Sequence, residues 1–126
     1  AIKKHLIENN YDIIDYGTDS AASVDYPIYA RKAAKAVASG QCDKGIVCCG
    51  TGIGVSITAN KEKSIRCALC TNEFMAEMAK RHNNANMLAF GARITPVEDV
   101  LKMVDIWLNA AFEEGRHQRR IDLIEM

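Results

Sequence analysis

A short apolar run, Gly45-Ile46-Val47-Cys48-Cys49, breaks directly into Gly50-Thr51-Gly52-Ile53-Gly54. Few folds accommodate that junction. The run is bounded by breakers and reads as a buried strand. Three glycines in five positions then let the backbone turn tightly and aim its N–H groups inward. A helix is expected to begin at Val55 and run to Ala59. A buried strand that feeds a helix through a glycine turn belongs in a parallel sheet covered on both faces.

The rest of the chain fits the same alternation. Ile2, Leu6 and Ile7 make one face of a helix, with Lys3, Lys4 and Glu8 on the other. Residues 11–16 (YDIIDY) read as a strand closed by Gly17, followed by a polar loop over 18–25. Pro27 opens a helix that continues through Ala30 to Ala38 and ends at Gly40. Further strands are expected over 65–70 and 86–90, the second closed by Gly91. Thr71 is the expected cap of a helix over 72–81. Thr95-Pro96-Val97-Glu98 reads as a capping box. Beyond it Val97, Val100, Leu101, Val104, Trp107, Leu108 and Ala111 keep helical spacing until Gly115. No linker or repeat divides the chain, so the expectation is one α/β domain over 1–126 with four parallel strands. Residues 116–126 form a basic terminal segment.

Composition removes whole classes of function. Sixteen basic and sixteen acidic residues cancel, so no bulk charge draws the chain to nucleic acid or a membrane surface. Aromatic residues are only 6%, too few for a base-stacking surface. No apolar run approaches the roughly 18 residues of a membrane span. Five cysteines (42, 48, 49, 67 and 70), with no export signal, point to a reducing, cytoplasmic setting. Cys67 and Cys70 form a CxxC. On a strand, positions three apart face opposite sides, so this pair reads as two small core residues and not as a chelate.

In parallel sheets, ligands bind at the carboxyl ends of the strands. That rule directs attention to the loop 49–54. With the helix N-terminus behind it, such a loop suits an anion, a phosphate or a reaction oxyanion, although a plain tight turn explains the same glycines. It lacks the Lys-Ser/Thr of a nucleotide-binding loop. Cys49, at the end of the strand, is a candidate nucleophile or base with a lowered pKa, and Cys48 is expected to point into the core. His82-Asn83-Asn84 suits proton transfer or, equally, a helix C-cap. Arg93, Arg116 and Arg120 are the basic candidates. The last two lie four apart and share one helical face, while His117 and Arg119 fall off that stripe. His5 reads as an inert surface residue.

Taken in order, Asp25-Tyr26-Pro27, Cys49-Gly50-Thr51-Gly52-Ile53-Gly54, Ala59-Asn60-Lys61, Arg81-His82-Asn83, Phe90-Gly91-Ala92-Arg93 and Gly115-Arg116-His117-Gln118-Arg119-Arg120 resemble the ribose-5-phosphate isomerase B family. The wider group includes galactose-6-phosphate isomerase. Any one stretch is common, but the ordered set is specific and covers nearly the whole chain. The resemblance implies a Rossmann-like three-layer sandwich. It implies aldose–ketose isomerisation of D-ribose 5-phosphate and D-ribulose 5-phosphate through a cis-enediolate, without metal or cofactor. It makes Cys49 the base that moves a proton between C1 and C2, and has Thr51 shuttle protons between the sugar oxygens. Amides of Gly50, Gly52 and Gly54 would stabilise the enediolate. His82 would open the sugar ring, Asn83 and Tyr26 would hold sugar, and Arg93, Arg116 and Arg120 would bind phosphate. It further implies a homodimer, or a tetramer, with sites shared between subunits and the segment 116–126 packed on a partner.

The family's opening strand, which carries a Gly-x-Asp-His turn, has no counterpart here. The chain opens at Ala1 in the helix that follows that strand, so the first strand is expected to lie outside this sequence. Two other readings stand beside the first. One is an isomerase of a related hexose 6-phosphate, allose or galactose. The other is a non-catalytic sugar-phosphate binding module. A cysteine-dependent hydrolase is weaker, because no oriented Cys–His pair can be placed.

Overall fold

The computed structural model describes residues 1–17 and 25–126. The polar loop expected over 18–25 falls almost wholly outside them. Three parallel strands, β1 (Gly45–Cys49), β2 (Cys67–Leu69) and β3 (Met87–Gly91), form a sheet in the order β1-β3-β2. Gly45 aligns with Met87 and Cys49 with Gly91. Helices α1 (Ile2–Glu8), α2 (Tyr26–Ala38), α3 (Ile53–Asn60), α4 (Glu73–Arg81), α5 (Val97–Asn109) and α6 (Arg116–Ile124) surround it.

The central strand explains the layering. All five residues of β3 are buried, and their side chains alternate between two cores. Leu88 and Phe90 join Trp107, Met103, Val104 and Ala76 under α4 and α5. Met87 and Ala89 join Ala34, Val47, Val55 and Ala59 under α2 and α3. The result is helix, sheet, helix. Trp107, wholly buried, satisfies its indole N–H by donating to the carbonyl of Ala85 at 2.9 Å. Cys70 sits in the first core and Cys67 packs against the second, so the CxxC thiols do face opposite sides. Burial pushes both thiols up, Cys67 to about 12 and Cys70 to about 11.

Several local expectations need correction. Residues 11–16 form no strand. Tyr11 and Ile14 are exposed, and the Tyr11 N–H closes the end of α1 on the Leu6 carbonyl. An alternating pattern gains ladder bonds only beside a neighbour, and among the described residues none pairs with this segment. Four expected strands are therefore three. Helix α3 begins at Ile53, ahead of the expected Val55. The cap of α4 is Asn72, whose side chain accepts from Met75 N–H at 2.9 Å; Thr71 instead donates to the Met75 sulfur. The capping box at α5 makes no side-chain bond: Pro96 is the N-cap, and Thr95 is buried. Helix α5 stops at Asn109, not Gly115, which instead sits at the N-cap of α6. Cys48 is exposed. It lies on the face of α4 and α5, and among the described residues β1 stands at the edge of the sheet. His5 is not idle. It bonds Asp105 at 2.7 Å and ties α1 to α5.

Candidate active site

The loop after β1 is fixed by the loop after β3. Ala92 N–H donates to the Cys49 carbonyl at 2.8 Å, and Arg93 N–H to the Gly50 carbonyl at 2.9 Å. Gly52 takes φ +82° as N-cap of α3, a left-handed conformation suited to glycine. Two side chains close over the loop. The Arg93 guanidinium group lies across Gly50, and the Tyr26 ring packs against Gly54. The carboxyl end of the sheet thus gathers Tyr26, Cys49, Gly50, Thr51, Gly52, Gly54 and Arg93.

Cys49 brings the thiol of this group. Gly52 N–H donates to its sulfur at 3.2 Å. Burial raises the thiol pKa, but hydrogen bonds from the backbone N–H groups of Val55, Gly52 and Thr51, with the Thr51 side chain, outweigh it and set the pKa below the ordinary thiol value. Its neighbour Cys48 moves the other way, up to about 11, chiefly through desolvation. Lowering favours the thiolate, so alkylation by iodoacetamide should reach its plateau at lower pH for Cys49 than for Cys48, Cys67 or Cys70. Peptide mapping of label against pH checks this. Equal labelling of Cys48 and Cys49 at neutral pH would contradict it.

The remaining candidates lie elsewhere in the chain. Gly45 N–H bonds the Asn86 carbonyl, which puts the 82–86 turn at the amino end of β1. Cys49 is the last of the five residues of β1, four steps from that end, or about 13 Å at roughly 3.3 Å per residue. His82 and exposed Asn83 sit there, with Arg116 and Arg120 exposed on α6. The candidate residues therefore fall into two groups at opposite ends of the sheet, two candidate half-sites. A groove of about 550 Å³, lined in part by Lys61, Arg66, Asn83 and Glu125, also lies at the amino end. It excludes Cys49, and its Arg66 is already engaged by Glu125 and the carbonyls of Asn83 and Asn84.

Two residues at this second half-site escape a reading of the sequence. Glu113 and His117 stand beside His82, His117 stacking on its ring. Their spacing of four hinted at a shared helical face, but Glu113 precedes α6, and only the fold brings His82 to them.

Chemically, the loop end offers a thiol of lowered pKa, a hydroxyl and the first-turn amides of a helix, among which Gly52 and Ile53 N–H donate to the Cys49 sulfur and the Thr51 hydroxyl oxygen. That set suits abstraction of a carbon-bound proton with stabilisation of the resulting oxyanion. The comparisons agree with it. The model of the Ribose/Galactose Isomerase family matches residues 1–124. Ribose-5-phosphate isomerase B of Escherichia coli (strain K12) is 46% identical over 123 residues, 98% of this chain and 83% of that protein. The structure of Clostridium thermocellum ribose-5-phosphate isomerase B superposes with a TM-score of 0.97 at 50% identity, covering 98% of this chain and 84% of that one. Ribose-5-phosphate isomerase B from Mycoplasma genitalium, whose structure holds bound ribulose 5-phosphate, superposes with a TM-score of 0.94 at 41% identity, covering 98% and 83%.

Proposed function

This chain belongs to the Ribose/Galactose Isomerase family, and from that premise we infer that it interconverts D-ribose 5-phosphate and D-ribulose 5-phosphate. The observation that carries the chemistry is the Cys49 thiol, held with a lowered pKa by the amides of the glycine loop.

In the aldose-to-ketose direction, the Cys49 thiolate takes the proton from C2. Negative charge develops on O1, where the loop amides stabilise the cis-enediolate. The thiol returns its proton to C1, and Thr51 passes the O2 proton to O1. No net proton is consumed. His82 assists opening of the furanose, and Asn83 and Tyr26 hold hydroxyl groups. Arg93, Arg116 and Arg120 take the phosphate. The loop amides serve the reacting oxygens, because the phosphate lies about three carbons away in an open pentose and falls to the guanidinium groups. The five free cysteines suit a cytoplasmic setting.

The two half-sites favour a homodimer in which the loop of one protomer meets His82, Asn83, Arg116 and Arg120 of its partner. A two-fold axis makes both sites identical. Exposed Leu123, Ile124 and Met126 at the end of α6 suit packing on the partner. Complementation tests the shared site. Cys49→Ala and His82→Ala proteins, each impaired alone, are mixed in equal amounts and allowed to exchange subunits. Half the dimers become hybrids with one intact site of two, so activity should recover to about a quarter of wild type. No recovery after verified exchange would place both groups in one chain.

A further inference from the structure

The half-site at the amino ends is more organised than exposed phosphate-binding arginines require. His82 and His117 stack with ring centroids 4.1 Å apart and planes within 10° of parallel. Glu113 Oε1 stands 3.4 Å from His117 Nε2 and 3.6 Å from His82 Nε2. The other Glu113 oxygen pairs with Arg81, which Glu77 also holds at 3.1 Å. Glu113 N–H donates to the Arg81 carbonyl at 2.9 Å, fixing the backbone as well. His117 is buried, its side chain 8% exposed, whereas that of His82 is 38% exposed.

The donor atoms of His82, Glu113 and His117 lie within 4.8 Å of one another, a spacing that would suit a metal ion. The ring geometry does not. A nitrogen lone pair lies in its ring plane, and two parallel rings 4.1 Å apart do not both aim at one ion about 2.0–2.1 Å away. The stack instead fixes the tilt of His82, and the carboxylate fixes its direction. We propose that Glu113 and His117 are positioning residues that hold the His82 ring for proton transfer to the sugar ring oxygen. This rests on the reading of His82 as the ring-opening group.

The charged and titratable neighbours fit a neutral partner under the ring. They are Arg81 and Glu77 on α4, Glu113 before α6, and Arg116 and Arg120 on α6. Burial, then the charges of His82 and Arg116, hold His117 below the ordinary histidine range, against the pull of Glu113. That lowering favours the neutral form of the buried His117 ring.

The test compares His117→Ala, His117→Phe and Glu113→Gln with His82→Ala. Two rates are read: conversion of ribose 5-phosphate, and solvent deuterium exchange at C1 of ribulose 5-phosphate, an open-chain sugar that needs no ring opening. His117→Ala and Glu113→Gln should each lower kcat for conversion about tenfold. His117→Phe, which keeps a flat stacking partner, should recover most of that loss. C1 exchange and KM should stay within about twofold in all three. Unchanged kcat in both His117→Ala and Glu113→Gln, or C1 exchange falling in step with conversion, would overturn the proposal. Full conversion by His82→Ala would remove the ring-opening reading itself and the positioning role with it. An NMR titration of His117 tests the stack without any assay: in His82→Asn its midpoint should move to higher pH, and an unmoved midpoint would show that the rings do not interact.

Discussion

Replacing Cys49 by alanine should lower kcat for isomerisation by about 10²–10⁴-fold, the range expected for loss of a positioned base, while sugar-phosphate binding survives. The proposed mechanism separates these effects. In it Cys49 supplies the proton-transferring atom, and its sulfur is held by the loop amides. The guanidinium group of Arg93 crosses Gly50 without needing the thiol, and Arg116 and Arg120 lie on another element. Calorimetric titration with ribulose 5-phosphate should therefore give a Kd within about threefold of wild type, since little ground-state binding is removed. Deuterium exchange at C1 should fall by the same factor as turnover, because both pass through the enediolate. The adjacent thiol is the internal control. Cys48 points to the opposite side of the strand; the residue as a whole is solvent-accessible, but its thiol is desolvated enough to raise its pKa, and Cys48→Ala should turn over like wild type. A Cys49→Ala protein retaining a tenth of wild-type kcat would rule out the thiol as base.

How much of this was legible in the sequence depends on how local each signal is. Strand β1 fell on residues 45–49 as expected, because an apolar run ended by glycines constrains its own backbone. Cys49, the glycine loop and Arg93 come together by the general rule that strands deliver ligands at their carboxyl ends. Residues 11–16 carry a strand-like pattern too, but whether it becomes a strand depends on a neighbour that a pattern cannot supply. The same limit applies to α6. Arg116 and Arg120 share a face, yet helical spacing does not say which face turns inward. Here it is the next one, His117 and Ile121, both buried, and that is why His117 looked undirected. Glu113 was invisible for a related reason. Gly115 seemed to end one long helix, whereas residues 110–114 form a connector that brings Glu113 N–H to the Arg81 carbonyl.

Gly91→Ala should cost both stability and activity, although Gly91 touches no proposed reacting group with a side chain. It ends β3, where the strand crosses the glycine loop backbone to backbone. A Cβ added there would lie 2.5 Å from the Thr51 carbonyl carbon and oxygen and 2.8 Å from its Cα. No rotamer change relieves a clash with main chain, so the loop must move or the strand must. The Ala92 and Arg93 N–H bonds to Cys49 and Gly50 resist that movement. Overpacking of this kind costs about 1–3 kcal/mol. Displacing Thr51 and the amides around the Cys49 sulfur by about 1 Å should lower kcat about 100-fold. Loss of those amides also returns the thiol toward its ordinary pKa, so alkylation of Cys49 should shift to higher pH. Gly40→Ala supplies the contrast. Gly40 has φ +85° but nothing within 4 Å of an added Cβ, so it should lose about 1 kcal/mol through backbone strain alone and keep its kcat. A Gly91→Ala protein with wild-type kcat and an unshifted Cys49 alkylation profile would show that the contact between β3 and the loop does not set the geometry of the thiol.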